Sequence, residues 1–144
     1  MNRVAGGNVL LLLRVAALAG ASLLHFTGAV SAQVQHVKIM QTLTEADNDR
    51  TIDIAVGDTV RISLPENATT GYRWAIDRVD NEVIEAVESE PHYAGNAVGS
   101  GGNVMFTFKG KKSGSGEIVL KYWRHFEGDA SVRKRFSVRL NAQP

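Results

Sequence analysis

Alternation of apolar and polar residues dominates the chain after residue 32, where no segment keeps a helical period. Alternate residues of an extended chain lie on opposite faces, so each such run predicts a strand with one buried face. The four clearest runs are Ile52, Ile54 and Val56; Val60, Ile62 and Leu64; Ile118, Leu120 and Tyr122; and Phe136, Val138 and Leu140. Further strands are predicted over residues 36–42, 72–79, 82–88 and 104–109.

Turn-forming residues separate these runs at short intervals, as at Gly57-Asp58, Asp80-Asn81 and Gly128-Asp129. Seven or eight short strands in about 110 residues are typical of an all-β, immunoglobulin-like sandwich. A small closed barrel is the alternative architecture. Residues 82–88 also fit a short helix, because Val83, Ile84 and Val87 suit that spacing.

The first 32 residues have the pattern of an export signal. Arg3 and Arg14 are basic, an apolar run follows over residues 15–24, and Val30-Ser31-Ala32 ends in small residues suited to a signal peptidase. The domain prediction is therefore a signal peptide over 1–32 and one domain over 33–144. An uncleaved membrane anchor is the alternative, although the run is short for a bilayer span.

Charge and cysteine content narrow the classes of partner. Without Arg3 and Arg14, fourteen basic side chains face fifteen acidic ones, so neither nucleic acid nor an anionic membrane is expected as partner. The short basic run at 133–135 fits a solvated strand start. The chain has no cysteine although the signal predicts export, which favours a bacterial periplasm or bacterial secretion over a disulfide-rich eukaryotic one.

Three connections between predicted strands carry residues suited to recognition. The first, 65–71, offers the small hydroxyl side chains of Thr69 and Thr70 and the unhindered backbone of Gly71. The second, 98–103, is rich in glycine, which allows a backbone to lie directly against a partner. The third, 122–129, holds Trp123, Arg124 and Phe126, residue types enriched among interface anchors.

Ordinary structural roles explain the same residues. The first connection also fits a Ser/Thr/Gly turn, the second a flexible hairpin, and the third an aromatic packed beneath a loop. A nucleotide site is not expected at the second connection, since no helix pattern and no Lys-Ser/Thr pair follow it. An enzyme is not expected. The sequence has no cysteine to act as a thiol nucleophile and no metal-ligand spacing, and its histidines are scattered. No cofactor or metal is predicted.

The three connections together resemble the chagasin-type inhibitors of cysteine peptidases. Residues 64–74, Leu-Pro-Glu-Asn-Ala-Thr-Thr-Gly-Tyr-Arg-Trp, are similar to that family's Asn-Pro-Thr-Thr-Gly-Tyr/Phe-x-Trp motif. Residues 99–102, Gly-Ser-Gly-Gly, match its Gly-x-Gly-Gly motif, and Arg124-His125-Phe126 stands where Arg-Pro-Trp is expected. The resemblance covers nearly all of residues 33–144, with the motifs in order.

The resemblance implies an immunoglobulin-like fold whose three loops enter the active-site cleft of a papain-family peptidase as a wedge. Thr69 and Thr70 would face the target's catalytic cysteine and histidine, the glycines its non-primed side, and Arg124 and Phe126 its primed side. A monomer suits such a wedge. The residues expected to contact the peptidase are Asn67, Thr69, Thr70, Gly71, Gly99, Ser100, Gly101, Gly102, Trp123, Arg124 and Phe126.

Two departures from the family pattern bear on strength of binding. Ala68 replaces proline, which leaves the unbound loop freer by about 0.4–1 kcal/mol. His125-Phe126 replaces Pro-Trp, so Trp123 is a candidate for part of the anchoring role. Tyr72 and Trp74 share one face and are predicted to belong to the core. The competing function is an exported adhesion or carbohydrate-binding module, with Trp123 and Phe126 stacking on sugar rings.

Overall fold

The protein is an all-β sandwich, as seen in a computed structural model that describes residues 38–93 and 101–144. Three-residue 3-10 turns lie at Glu45–Asp47, Ala68–Thr70, His125–Glu127 and Asp129–Ser131. The eight strands are β1 (Met40–Leu43), β2 (Arg50–Ala55), β3 (Thr59–Glu66), β4 (Arg73–Val79), β5 (Ile84–Tyr93), β6 (Gly102–Gly110), β7 (Gly114–Trp123) and β8 (Lys134–Gln143).

The strands form two separate four-stranded sheets, ordered β1-β3-β6-β5 and β2-β8-β7-β4. The pairs β1–β3 and β2–β8 are parallel, and the other neighbours are antiparallel. Two sheets packed face to face make a sandwich rather than the closed barrel kept as an alternative. The prediction of an immunoglobulin-like sandwich with seven to eight strands is confirmed.

The core lies between the inner faces of the two sheets, and the predicted alternation identifies most of it. Of the four clear runs, all members are buried except Tyr122, which is half-buried against the core, and Val56. The placement of Val56 beside Ile52 and Ile54 was wrong. Strand β2 ends at Ala55 and the chain turns through Gly57 at φ 95°, which leaves Val56 exposed.

Residues 82–88 do not form the alternative helix. Val83 and Ile84 are buried, and the chain runs on as strand β5 to Tyr93, paired with β6 through a bulge between Ala86 and Glu88. Strand β5 is the edge of its sheet, and its residues from Glu85 to His92 are all exposed. Charged side chains on an exposed edge oppose pairing with other chains, which explains why this strand lacks a full apolar face.

Strand register brings three connections to one end of the sandwich. In the first sheet, Glu66 pairs with Gly102, which also pairs with Tyr93. In the second, Arg73 pairs with Trp123 and Tyr122 with Lys134. The β3–β4, β5–β6 and β7–β8 connections therefore leave the sheets at the same end of the sandwich.

Two sequence predictions lie outside the described residues: the signal peptide at 1–32, and the part of the glycine-rich connection that includes Gly99 and Ser100. Within 38–93 and 101–144, no helix has the length and apolar character needed to cross a bilayer.

Candidate functional site

The β3–β4 connection is a tight turn, here called the central turn (Asn67–Gly71). Its 3-10 segment begins after Asn67, whose Oδ1 accepts from the backbone N–H of Thr69 at 3.1 Å and from its hydroxyl at 2.7 Å. The hydroxyl of Thr70 donates to the Asn67 carbonyl at 2.8 Å and accepts from the Tyr72 N–H at 3.3 Å. These bonds hold the turn in shape while the side chains of Thr69 and Thr70 stay exposed.

Gly71 ends the central turn in a conformation that glycine adopts without strain. Its φ of 77° lies in the left-handed region, and its N–H donates to the carbonyl of Ala68 at 3.2 Å. A Cβ placed on Gly71 would lie 3.4 Å from the Phe126 ring and 3.5 Å from Arg124 Nε. The central turn and the β7–β8 connection are thus packed directly against each other.

Arg124 joins these two connections by hydrogen bonds. Its Nε and Nη2 both donate to the carbonyl oxygen of Thr70, at 3.1 and 2.9 Å. Its Nη1 donates to Glu127 at 2.9 Å, and its guanidinium carbon lies 4.4 Å from the centroid of the Tyr72 ring. Arg133 approaches the same ring at 4.5 Å. Such cation–π contacts add modestly to the packing of a half-exposed arginine.

A buried carboxylate, Glu66, supports the central turn from below. It is 4% exposed and accepts from the Trp74 backbone N–H at 2.7 Å, from Arg73 Nη1 at 3.1 Å and from the Tyr93 hydroxyl. Burial raises the pKa of the Tyr93 phenol, and its hydrogen bond to the Glu66 carboxylate raises it further. Glu66 therefore ties the central turn to the end of β5, from which the glycine-rich connection leaves.

Sequence reasoning missed Glu66 and Tyr93. The signal for Glu66 was present, because it continues the inward parity of Val60, Ile62 and Leu64. An inward charged residue at a strand end indicates a satisfied polar cluster.

Tyr72 and Trp74 belong to the scaffold, as predicted. Both are buried, and their rings lie 5.3 and 5.2 Å from the ring of Tyr122. The indole N–H of Trp74 donates to the Pro65 carbonyl at 3.0 Å. These three side chains, here called the aromatic floor (Tyr72, Trp74 and Tyr122), pack beneath the central turn.

The described part of the glycine-rich connection shows two different roles for glycine. A Cβ on Gly102 would lie 2.4 Å from the His92 carbonyl oxygen, so close packing within the hairpin requires glycine there. Among the described residues, a Cβ on Gly101 would meet no atom within 4 Å, so no described side chain crowds it. Gly101 is exposed, and Gly102 partly so.

A cavity of about 270 Å³ opens at this end of the sandwich. Its lining combines residues of the central turn, of the glycine-rich connection and of the aromatic floor. The lining residues are Pro65, Glu66, Asn67, Trp74, Gly101, Gly102, Tyr122 and Lys134.

Trp123 lies on the opposite face of β7 from Tyr122 and is partly exposed, as the alternation predicted. The ammonium of Lys121 lies 3.8 Å from the centroid of its ring. Lys121 also contacts Asp129 at 2.7 Å and Asp77 at 3.3 Å. The hydrogen bond between Asp129 and Lys121 raises the pKa of Lys121 and lowers that of Asp129. One face of this indole is therefore occupied by the protein's own cation.

Among the large apolar side chains within 38–93 and 101–144, Phe126 is the most exposed, at 65%. It stands on the 3-10 turn His125–Glu127, and the His125 ring meets it edge-on at a centroid distance of 5.4 Å. The structure thus brings Thr70, Gly71, Arg124 and Phe126 together. Trp123 lies apart from them, beneath Lys121.

The described residues contain no group of three or more histidine, aspartate or glutamate side chains able to hold a metal ion. What the site presents instead is a braced edge of small side chains, open backbone and one aromatic ring. Such an arrangement is suited to filling a groove on another molecule.

Comparison with known proteins identifies the family. A family model described as "Chagasin family peptidase inhibitor I42" matches residues 53–140, which include all three connections. The chain belongs to the chagasin family of peptidase inhibitors. This membership confirms the sequence resemblance and identifies the protein as an inhibitor rather than an enzyme.

A relative supports the assignment over nearly its whole length. Amoebiasin-1 from Entamoeba histolytica is 36% identical over 104 residues, which are 71% of this chain and 99% of the relative.

Two solved structures share the fold. The crystal structure of the cysteine protease inhibitor EhICP2 from Entamoeba histolytica gives a TM-score of 0.65 at 22% identity, covering 72% of this chain and 96% of that one. The structure of PbICP-C in complex with falcipain-2 gives 0.50 at 20% identity, covering 74% and 91%.

Proposed function

We propose that this chagasin-family protein is a reversible, tight-binding inhibitor of papain-family cysteine peptidases. Its central turn, glycine-rich connection and β7–β8 connection would enter the active-site cleft of the target as a wedge. The observation that carries the proposal is the convergence of the three connections at one end, with the central turn braced by its own hydrogen bonds. The neighbours described as a cysteine protease inhibitor and as a complex with falcipain-2 support the choice of target class.

In this proposal the central turn occupies the middle of the cleft. Thr69 and Thr70 are exposed, and Asn67 and Gly71 fix the turn that carries them. Blocking a hydrolase requires atoms near its nucleophile without a carbonyl placed for attack. A pre-organised turn does this at little cost in ordering entropy.

The flanking connections extend the contact along the cleft. Gly99, Ser100, Gly101 and Gly102 would lie along the non-primed side, where no described side chain crowds the backbone of Gly101. On the primed side the exposed Phe126 ring would supply apolar area, carried on the connection that Arg124 joins to the central turn. An interface of standard size, about 1,600 Å² in total, is sufficient for nanomolar affinity.

Trp123 contributes less to this interface than Phe126. Its ring already stacks with Lys121, which is itself held by Asp129 and Asp77. A partner that stacks on that face of the indole would have to displace the cation. The same contact disfavours Trp123 as a sugar-stacking ring in the adhesion or carbohydrate-binding alternative, because such a ring needs a free aromatic face.

Export and a monomeric state are further parts of the proposal. The pattern of residues 1–32 supports removal of a signal peptide and secretion or a periplasmic location. The relatives named above from Entamoeba histolytica are eukaryotic and lend no support to a bacterial source. A monomer leaves all three connections free for one target.

Titration of residues 33–144 against papain and a small panel of related cysteine peptidases tests the function. Stoichiometric, reversible loss of peptidase activity is expected, with recovery on dilution. A serine peptidase serves as the control and should keep its activity. If none of several papain-family enzymes responds at micromolar concentration, the proposal fails.

A further inference from the structure

The carbonyl of Thr70, at the end of the central turn, is held by a residue 54 positions away in the sequence. Two N–H groups of Arg124 converge on this one oxygen, at 3.1 and 2.9 Å. The last carbonyls of a helical turn lack hydrogen-bond partners within the turn. The guanidinium of Arg124 supplies the donors that the Thr70 carbonyl would otherwise lack. This contact also fixes the plane of the Thr70–Gly71 peptide.

Arg124 is itself held on several sides by groups of its own chain. Its third nitrogen donates to Glu127, and its guanidinium lies over the ring of buried Tyr72. Its backbone N–H donates to the Ser131 hydroxyl at 3.0 Å, and that hydroxyl has two acceptors within reach, the carbonyls of Gly128 at 2.6 Å and Arg124 at 3.0 Å. Both the donor groups and one planar face are therefore committed inside the protein, which leaves little for a partner.

We propose that Arg124 is a positioning residue for inhibition, which sets the shape of the central turn before any peptidase binds, rather than a direct contact to the target. The proposal rests on the inhibitory function proposed above. It replaces the sequence-based assignment of Arg124 to the peptidase-contacting surface. It also supplies a source of stiffness for a turn that has Ala68 where the family pattern has proline.

The variant that tests this is Arg124→Lys, which keeps the positive charge but cannot place two donors on one oxygen or stack a planar group on Tyr72. Arg133→Lys is the matched control. Arg133 lies over the same ring at 4.5 Å, yet within the described residues its side chain makes no hydrogen bond to Thr70. A second variant, Glu127→Gln, loosens Arg124 without altering it and should act in the same direction more weakly.

The first readout needs no peptidase. In free Arg124→Lys, amide hydrogen exchange at Gly71 and Tyr72 should accelerate by about tenfold or more, since a charged hydrogen bond to the turn is lost. Exchange in the core strands should stay unchanged, as it should throughout Arg133→Lys. Unchanged exchange at Gly71 and Tyr72 would overturn the proposal.

The second readout uses the kinetics of inhibition. A looser turn should raise the dissociation rate by about tenfold for every peptidase in a panel, with an association rate within about threefold of the parent. A direct contact to the target would instead raise the dissociation rate in some peptidases and not in others, with amide exchange of the free protein unchanged, which would overturn the proposal. If the parent protein inhibits no peptidase, the proposed function fails while the exchange measurement still decides the role of Arg124.

Discussion

The central turn and the β7–β8 connection lie side by side at one end of the sandwich but present different surfaces to a partner. The central turn presents two small exposed threonines on a backbone fixed by Asn67, Gly71 and Arg124. The β7–β8 connection presents Phe126, which is 65% exposed and is carried on a short 3-10 turn. The first region contributes shape at low entropic cost, and the second contributes apolar area.

The two regions should therefore respond to different kinds of substitution. A region that works by shape is sensitive to added bulk or charge and to loss of its internal bonds. A region that works by apolar area is sensitive to the size of one ring. Substitutions in the two regions are therefore expected to weaken inhibition to different extents.

Replacing both Thr69 and Thr70 with glutamate should abolish inhibition, by about a thousandfold or more. Bulky charges would enter a cleft where they are desolvated without partners. Inhibition constants against papain measure the loss, and the thermal midpoint shows that the sandwich stays folded. Thr51→Glu, on an exposed position of β2, is the control and should inhibit normally. Retained inhibition by the double variant would remove the central turn from the interface.

Glu66→Ala should lower the free energy of unfolding by about 2 kcal/mol, because it leaves the buried Trp74 N–H and the Tyr93 hydroxyl without their acceptor. Glu66→Gln keeps one acceptor oxygen and should cost about half as much. Urea denaturation measures both. The expected order would be contradicted if the two variants were equally stable. That result would mean that the cluster beneath the central turn does not depend on hydrogen bonding.

Phe126→Ala should weaken inhibition by about 10- to 100-fold while the fold keeps its stability, since an exposed anchor ring acts mainly in the complex. Phe126→Trp, which enlarges the ring, should strengthen inhibition by up to about tenfold. Trp123→Phe is the comparison variant and should change the inhibition constant less than Phe126→Ala. A larger effect at Trp123 would reverse the assignment of the anchor.

Ala68→Pro should stabilise the free protein by about 0.4–1 kcal/mol. Position 68 is the first residue of the 3-10 turn, where proline is well tolerated, and Asn67 before it is extended at φ −120° and ψ 101°. Thermal unfolding and inhibition constants measure the gain. A loss of stability would show that the backbone at 68 does not fit proline and that Arg124 and Asn67 hold a different turn.

Much of the fold could be predicted from the alternation of apolar and polar residues along the strands. Inward residues such as Ile62, Leu120 and Val138 were predictable because burial of one sheet face imposes a period of two. The same period placed Tyr72 and Trp74 in the core and Trp123 on the opposite face. It was wrong at Val56, since a turn can end a strand before its apolar pattern ends.

The end of the sandwich that carries the three connections was predictable only in part. The family motifs located Thr69, Thr70, Gly101 and Phe126, because these residue types recur at strand ends in a fixed order. The contacts of Trp123 with Lys121 and of Arg124 with Thr70 could not be predicted. They depend on which side chains meet once the two sheets are packed, and the local sequence pattern does not specify those distances.

The amino-acid sequence was sufficient to establish the all-β class, most inward residues of the strands and the positions of the three connections along the chain. These follow from local rules of alternation and turn chemistry. Tertiary structure alone decided that Glu66 binds beneath the central turn, that Lys121 covers Trp123 and that Arg124 holds the carbonyl of Thr70. Each of those contacts joins residues brought together by strand register and sheet packing, which only the folded chain specifies.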